Sequence, residues 1–526
     1  MGMDLDRARQ IADEMVSLSA ELVTTLADDV TPEPPDGEVI KIRPGDDVGA
    51  AIRSLYETGG TIACAPGDYP FSFWLDERTS KAPIVLTTDT SNLPKPGTRI
   101  TPDYLPGLAV FRSANGLDAV FTAKKRSGGL HLVGVAIGPQ QYDRTVISLG
   151  DDTTTSAADM PTDFLFDRVF LYGDPEKGQH RGIMAHADGI VVCGSYFQDF
   201  HEQGRDSQCL AAWNGGRHIT IDNNHLEGGA ENVLFGGSPA KTVEMIPQDI
   251  RITRNLFLKP ERWQHLATLP SIKCLFELKN VQRCWIEGNV FDGCWSSAKP
   301  GGSWGSGVAI AIKVSPNGSQ FTKNEDTTFV RNVLRNVGSV FSIIGEHDGG
   351  EPSDVMKNLV IEGNLAYLVN VPGSPYPGDG KCVANGRPPF GMKVNHNTVL
   401  NPGTLLDWWE PGTGETGTDL VFTNNVVEHG QYGVRCSGGS GTKALDLGWP
   451  QEYQFTSNAI KKHPERTVPL PPGNVVIEGA AFDASLDSDH RVIPGSAVAQ
   501  VATTDGQMVG ADIDAIAAAL APTEHI

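Results

Sequence analysis

From about residue 130 onward, short apolar runs recur in one frame: a strand-like stretch, an asparagine, then an apolar pair. The copies read ITIDNNHL, IRITRNLF, CWIEGNVF, TFVRNVL, LVIEGNLA, MKVNHNTV, LVFTNNVV and YQFTSNAI, with the shared asparagine at Asn224, Asn255, Asn289, Asn332, Asn364, Asn397, Asn425 and Asn458. Three earlier copies keep the frame with Val135, Val169 and Ser195 in the asparagine's place, and NVVIEGAAF, with Ala480, reads as a final copy. A second short apolar run precedes each copy, as in CLFELKN, VAIAIKV, VFSIIGEH and TLLDWWEPG. No helical pattern lies between these runs, which excludes a doubly wound sheet and a TIM barrel. Turn-rich units of about 32 residues, each with two or three short strands, predict a parallel β-helix of about 11–12 coils, spaced ~4.8 Å apart. Asparagine suits such a corner because it tolerates left-handed backbone and its amide can bond the next copy in a ladder.

The ends read differently. Ile11, Met15, Leu18 and Leu22 follow the spacing of a short coiled-coil seam, so residues 1–30 are expected to form a helical stem, followed by a Pro-rich linker at 31–37. Residues 38–125 are expected to form an N-terminal cap and the first coils, 126–485 the β-helix and 486–526 a C-terminal cap. In the first of these, Asp46 or Asp47 can cap a helix whose apolar stripe is Val48, Ile52 and Leu55. In the last, GADIDAIAAAL (510–520) is an amphipathic helix expected to plug the open end of the coils.

Charge narrows the partners. Against 42 Lys plus Arg stand 64 Asp plus Glu, a net charge of −22 over 526 residues, which argues against nucleic acid or an anionic membrane. No apolar run is long enough to span a bilayer, and the first residues lack the apolar core of a signal peptide. Eight cysteines without a CxxC pair are expected to be small buried hydrophobes rather than a zinc site. No metal or other cofactor is expected.

The block DDVGAAIRSLYETGGTIACAPGDY resembles the N-terminal cap of pectate-lyase-like right-handed β-helix proteins, and GGAENVLFGG and LFELKNVQRCWIEGNVF are similar to that superfamily's coils. The resemblance covers roughly residues 38–515 and implies a right-handed parallel β-helix. It implies no single activity, because that superfamily includes polysaccharide lyases, glycoside hydrolases, esterases and bacteriophage tailspikes. The N-terminal stem and the absent signal peptide favour a tailspike-like virion protein. Such a protein would be a homotrimer in contact with other virion proteins, binding host surface polysaccharide and in some cases cleaving it. The alternatives are a secreted or periplasmic bacterial polysaccharide lyase or glycoside hydrolase, and an inert virion spike or decoration.

Chemistry must come from outward side chains on the stacked strands. Alternation turns Phe276, Leu278, Ile310 and Ile312 inward and Glu277, Lys279 and Lys313 outward. The following strands end in Glu346 and Asp348, then Trp408, Trp409 and Glu410, then Arg435. Glu277 and Glu346 are the candidate carboxylate pair for hydrolysis, with Lys313 between them and available for lyase chemistry. Lys279, Asp348, Trp408, Trp409, Glu410 and Arg435 are candidate substrate contacts, with one of the two tryptophans expected in the core and the other on the surface. The competing reading is a solvated face crossed by ion pairs such as Glu277–Lys313.

Overall fold

The computed structural model describes residues 39–521 except 81, 117, 139–143, 297–306, 316, 348–353, 402 and 409–415. The expected stem and linker, Asp348, Trp409 and Glu410 lie outside the described residues. Two compact units are formed, 39–271 and 272–521. Each is built from three parallel sheets whose strands follow one another in strict rotation, the topology of a right-handed parallel β-helix.

In the unit 39–271, Val39–Ile42 pairs with Gly60–Cys64 across the short helix Val48–Ser54. Asp47 caps that helix by accepting from the Ala50 amide at 2.9 Å. The first sheet continues through Ile84–Thr88, Gly128–Val133, Thr162–Asp167, Asp188–Cys193, Arg217–Asp222 and Gln248–Thr253. Inward residues stack in register, as in Phe164, Ile190, Ile219 and Ile250, all buried. The unit 272–521 repeats the plan from Phe276–Leu278 onward. Seven of the eight cysteines are buried and all eight are free thiols, as expected of small hydrophobes.

The asparagine ladder is present at the corner between the first and second sheets. Asn224 bonds Asn255 in one unit; in the other, Asn289, Asn332, Asn364, Asn397, Asn425 and Asn458 bond in series, side chain to side chain, at 2.9–3.1 Å. Each side-chain oxygen also accepts a backbone N–H of the preceding rung, as Asn364 does from Asn332 at 2.9 Å. The left-handed residue is not the asparagine, as expected, but the one before it: Asn223, Arg254, Gly288, Arg331, Gly363, His396, Asn424 and Ser457 all have positive φ. The preceding residue turns the chain, and the asparagine amide then satisfies the carbonyls which that turn exposes. Ser195 holds its predicted rung, donating its N–H to Asn224 and accepting from Val169 N. Ala480 does not. The last rung is Asn474, bonded to Asn458 at 2.8 Å, because Val475–Ile477 is the strand that pairs with Ala459–Lys461. Ala480 falls in the short helix Gly479–Asp483.

The C-terminal helix also departs from expectation. Ile513–Leu520 does not plug the end of the coils but lies on the outside of the second sheet, where Ile516 packs with Val333 and Leu365, and Ile513 and Leu520 pack with Val290 and Tyr367. The contact is close enough that a Cβ on Gly288 would stand 2.2 Å from the Ala519 carbonyl oxygen. Those outward apolar residues form a stripe that water would otherwise wet, and the helix buries it. A separate cluster of Phe482, Val498, Val501 and Val509 packs on Val426, Ala459 and Ile477.

Candidate functional site

The outer face of the third sheet carries the chemistry in residues 272–521. Register places Glu277, Ala311, Ser342, Ala384, Asp407 and Arg435 side by side in one column, a single residue per strand. The column has two charged ends separated by small residues. At one end Glu277 is clamped between Lys313 at 3.0 Å and Lys279 at 3.2 Å. Its side chain is only 4% exposed, whereas Lys279 and Lys313 remain 14% and 26% exposed. At the other end Asp407 receives both nitrogens of the Arg435 fork, at 3.1 and 2.9 Å, and Lys381 at 3.1 Å. The bond to Asp407 holds Arg435 above its ordinary pKa. Lys381 also meets Asp379 at 3.6 Å, so the Arg435 end sets two cations against two carboxylates, whereas at the other end Lys279 and Lys313 both answer Glu277. Four strand spacings separate Glu277 from Asp407, roughly 19 Å along the face.

The predicted residues fall into three groups. Glu277, Lys279 and Lys313 come together, and Glu277–Lys313 is the anticipated cross-strand ion pair. Glu346 is not part of that group; it is bonded to Arg387 at 2.9 Å beyond the strand Ser339–Ile344. Glu277 and Glu346 thus stand on separate cationic partners and are not brought together as the acid–base pair that hydrolysis needs. Trp408 overturns its assignment as a substrate contact. It is 2% exposed, packed edge to face on Trp449 with ring centres 5.1 Å apart and roofed by the helix Thr442–Gly448. Alternation explains this: Asp407 points out, so its neighbour must point in.

The unit 39–271 holds buried polar groups that the repeat did not reveal. Arg262 bonds Asp199 at 2.8 Å and Glu227 at 2.6 Å, Trp263 donates its indole N–H to Asp199 at 3.0 Å, and His225 meets Glu227 at 3.2 Å. Burial opposes ionisation of Glu227, but the bonds from His225 and Arg262 outweigh it and hold its carboxyl below the ordinary range. Lys259, fully buried, donates to the carbonyls of Gly228 and Gly229 and to Asn232. A second set joins Arg181 to Gln208 at 2.9 Å and Gln208 to the buried Glu231 at 2.8 Å. The sequence signal for both was the departure of GGAENVLFGG and LKPERW from the strand–asparagine frame. The first network carries two carboxylates, Asp199 and Glu227, and the second carries Glu231; they anchor the segment 259–271 and the third-sheet strand Gln208–Ala212. Among the described residues no group of three or more His, Cys, Asp or Glu is arranged to hold a metal, and no helix is long and apolar enough to cross a membrane.

No protein-family model and no curated protein matches the chain. Solved structures do match. The alginate lyase AlyGC of polysaccharide lyase family 6 is 11% identical, with a TM-score of 0.45 over 93% of this chain and 59% of the lyase. The family 6 polysaccharide lyase Pedsa3628 from Pseudopedobacter saltans is 12% identical, with a TM-score of 0.40 over 90% of this chain and 98% of that one. The surface adhesin PfbA of Streptococcus pneumoniae is 10% identical, with a TM-score of 0.38 over 73% of this chain and 88% of the adhesin. This chain spans about three-fifths of the length of AlyGC. At such identities and TM-scores these likenesses add nothing to the parallel β-helix that the strand pairing itself shows.

Proposed function

We propose that the protein binds an acidic polysaccharide along the outer face of the third sheet in residues 272–521 and cleaves it by β-elimination. The observation that carries this reading is the pair of partly exposed ammonium groups, Lys279 and Lys313, on the single carboxylate Glu277 at one end of the column, with Arg435 and Lys381 at the other. In a chain of net charge −22, a face with locally surplus ammonium and guanidinium groups suits a polyanion. The small side chains between the two ends, Ala311, Ser342 and Ala384, leave room for a sugar chain to lie across them. In the proposed elimination Lys313, as the neutral amine, takes the C5 proton of the uronate, the C4–O bond breaks to leave a C4–C5 double bond, and water protonates the departing oxygen. Lys279 stabilises the charge that develops on the uronate carboxylate, and Glu277 positions both lysines. Hydrolysis by Glu277 and Glu346 is the weaker reading, because each carboxylate is engaged by its own cations and the two are not brought together.

The test is binding of the full chain to uronate-containing, sulfated and neutral polysaccharides, followed by digestion. Absorbance of an unsaturated uronate at new chain ends supports elimination. New reducing ends without that absorbance would transfer the reading to hydrolysis. Equal affinity for neutral and anionic polymers would reject the face as a polyanion site. A tailspike-like setting and a trimer rest on residues 1–30; light scattering of the full chain beside a chain starting at Asp36 tests them, with loss of association expected in the shorter chain.

A further inference from the structure

The Arg435 end of the column extends beyond the sheet. The Arg435 guanidinium lies 4.3 Å from the centre of the Tyr432 ring, and the Arg466 guanidinium lies 5.4 Å from the centre of the same ring. Asp407 answers the charge of Arg435. Arg466 is exposed and has no carboxylate partner among the described residues, although the chain carries 64 acidic residues. Lys381 is the second cation on Asp407, at 3.1 Å, and also meets Asp379 at 3.6 Å.

Arg466 is held there by a frame. Its loop contains Pro464, Pro469, Pro471 and Pro472, which restrict the backbone. The Pro469 carbonyl accepts from Thr442 N at 2.9 Å and from Thr442 Oγ1 at 3.4 Å, and Val468 N donates to His429 Nε2 at 3.2 Å. Asn474 closes the loop as the last rung of the ladder. Two like charges over one aromatic ring repel, and the ring compensates only partly for their separation from water. A loop tied down in this way that nonetheless carries a second guanidinium to that ring builds a place for an anion at the Arg466 fork, beside an Arg435 whose own fork is on Asp407.

We propose that Arg435, Arg466 and Tyr432 form a recognition notch for an anionic substituent of the polysaccharide, a carboxylate or a sulfate ester. This rests on the reading that the third-sheet face binds an acidic polymer, and it assigns the end of that face which reads the substituent. Arg466 directs its fork at the oxyanion, and Arg435, whose Nε and Nη2 are taken by Asp407, adds its charge and its Nη1 edge beside the Tyr432 ring.

The test uses the full chain, Arg466→Ala and Arg466→Lys, with Lys313→Ala as the variant of the opposite end. Arg466→Ala should lower affinity for anionic polymer about tenfold and leave affinity for a neutral polymer unchanged. Arg466→Lys, which keeps the charge but loses the fork, should fall between. A loss confined to polyuronate identifies the carboxylate; a loss confined to sulfated polymer identifies the sulfate ester. Independently of any polymer, inorganic sulfate at constant ionic strength should raise the melting temperature of the wild type more than that of Arg466→Ala. Arg466→Ala that binds anionic polymer like the wild type while Lys313→Ala loses it overturns the notch and leaves the face intact. If the wild type binds no polymer, equal sulfate stabilisation of wild type and Arg466→Ala overturns the notch, whereas unequal stabilisation keeps the notch and discards the polysaccharide reading.

Discussion

In residues 272–521 two columns of stacked side chains run from coil to coil, and they obey opposite rules. The ladder column repeats one residue, asparagine, through six consecutive rungs, all buried and all bonded. The third-sheet column, Glu277 to Arg435, repeats nothing, although its strands are just as regularly paired. Burial makes the difference. An amide inside a dry corner must give and receive a bond on every rung, so a change of residue leaves a neighbour's N–H or C=O unmet. Water satisfies whatever stands on an outer face, so that face is free to vary and its composition reports what it meets. Periodicity marks what holds the fold, and departure from periodicity marks where a ligand is expected.

The contrast can be broken first at the ladder. Asn364 accepts from Asn332 and donates to the carbonyls of Phe329 and Glu362 and to Asn397. Asn364→Leu should cost at least ~3 kcal/mol, since several buried groups lose partners together. Chemical denaturation should show a loss that is independent of salt; a loss that shrinks with added salt would mean the corner is held by charge after all. At the charged column, Glu277→Ala leaves Lys279 and Lys313 facing each other without their carboxylate. Stability should fall by about 2–3 kcal/mol, less than for a fully dry pair because both ammonium groups touch water. Here the loss should vary with salt, and a salt-independent loss of equal size would make Glu277 a packing residue.

Lys313→Ala sharpens the functional side of the comparison. It should weaken binding of anionic polysaccharide about tenfold, close to 1.4 kcal/mol, with little change in melting temperature. The difference from wild type should narrow as ionic strength rises, read by affinity electrophoresis. Wild-type binding by Lys313→Ala at low salt would remove this end of the face from the site.

The smallest effect at neutral pH belongs to His186, a buried titratable group in the other unit. Burial pulls its pKa down to about 3, and its ring packs edge to face on Trp213 at 4.5 Å. The folded state therefore holds the ring neutral while an unfolded histidine, with an ordinary value near 6.5, gains a proton. Between those values the unfolded state binds more protons, so the contribution of His186 is full above about 6.5 and is lost as pH falls toward about 3. His186→Phe should flatten this part of the pH–stability curve. An unchanged slope in that variant would show that carboxylates alone set the acid limit.

How much of this was legible follows from the same contrast. The repeat of strand, asparagine and apolar pair was enough to place Asn289 through Asn458 on one corner, and alternation was enough to turn Glu277, Lys279 and Lys313 outward together. Ser195 was legible as a rung because a hydroxyl can replace part of an amide's bonding; Asn474 was missed because a Pro-rich loop shortened the last repeat. Arg466 and Tyr432 were not legible at all: they sit 34 residues apart on separate loops, and no local pattern ties them. For Asp199, Glu227 and Arg262 the one signal was the departure of GGAENVLFGG and LKPERW from the frame, which marks the place but not the partners, since these come from different strands and turns.

The amino-acid sequence by itself determined the coil, its corner and the inward face of each strand, because those depend on spacing that every repeat restates. Tertiary structure alone decided which charges neutralise one another, that Trp408 lies under Trp449, and that the helix Ile513–Leu520 covers Val333 and Leu365 instead of closing the last coil. These are contacts between segments tens to hundreds of residues apart. They arise only once stacking has brought those segments to within one strand spacing, and no periodicity along the chain encodes them.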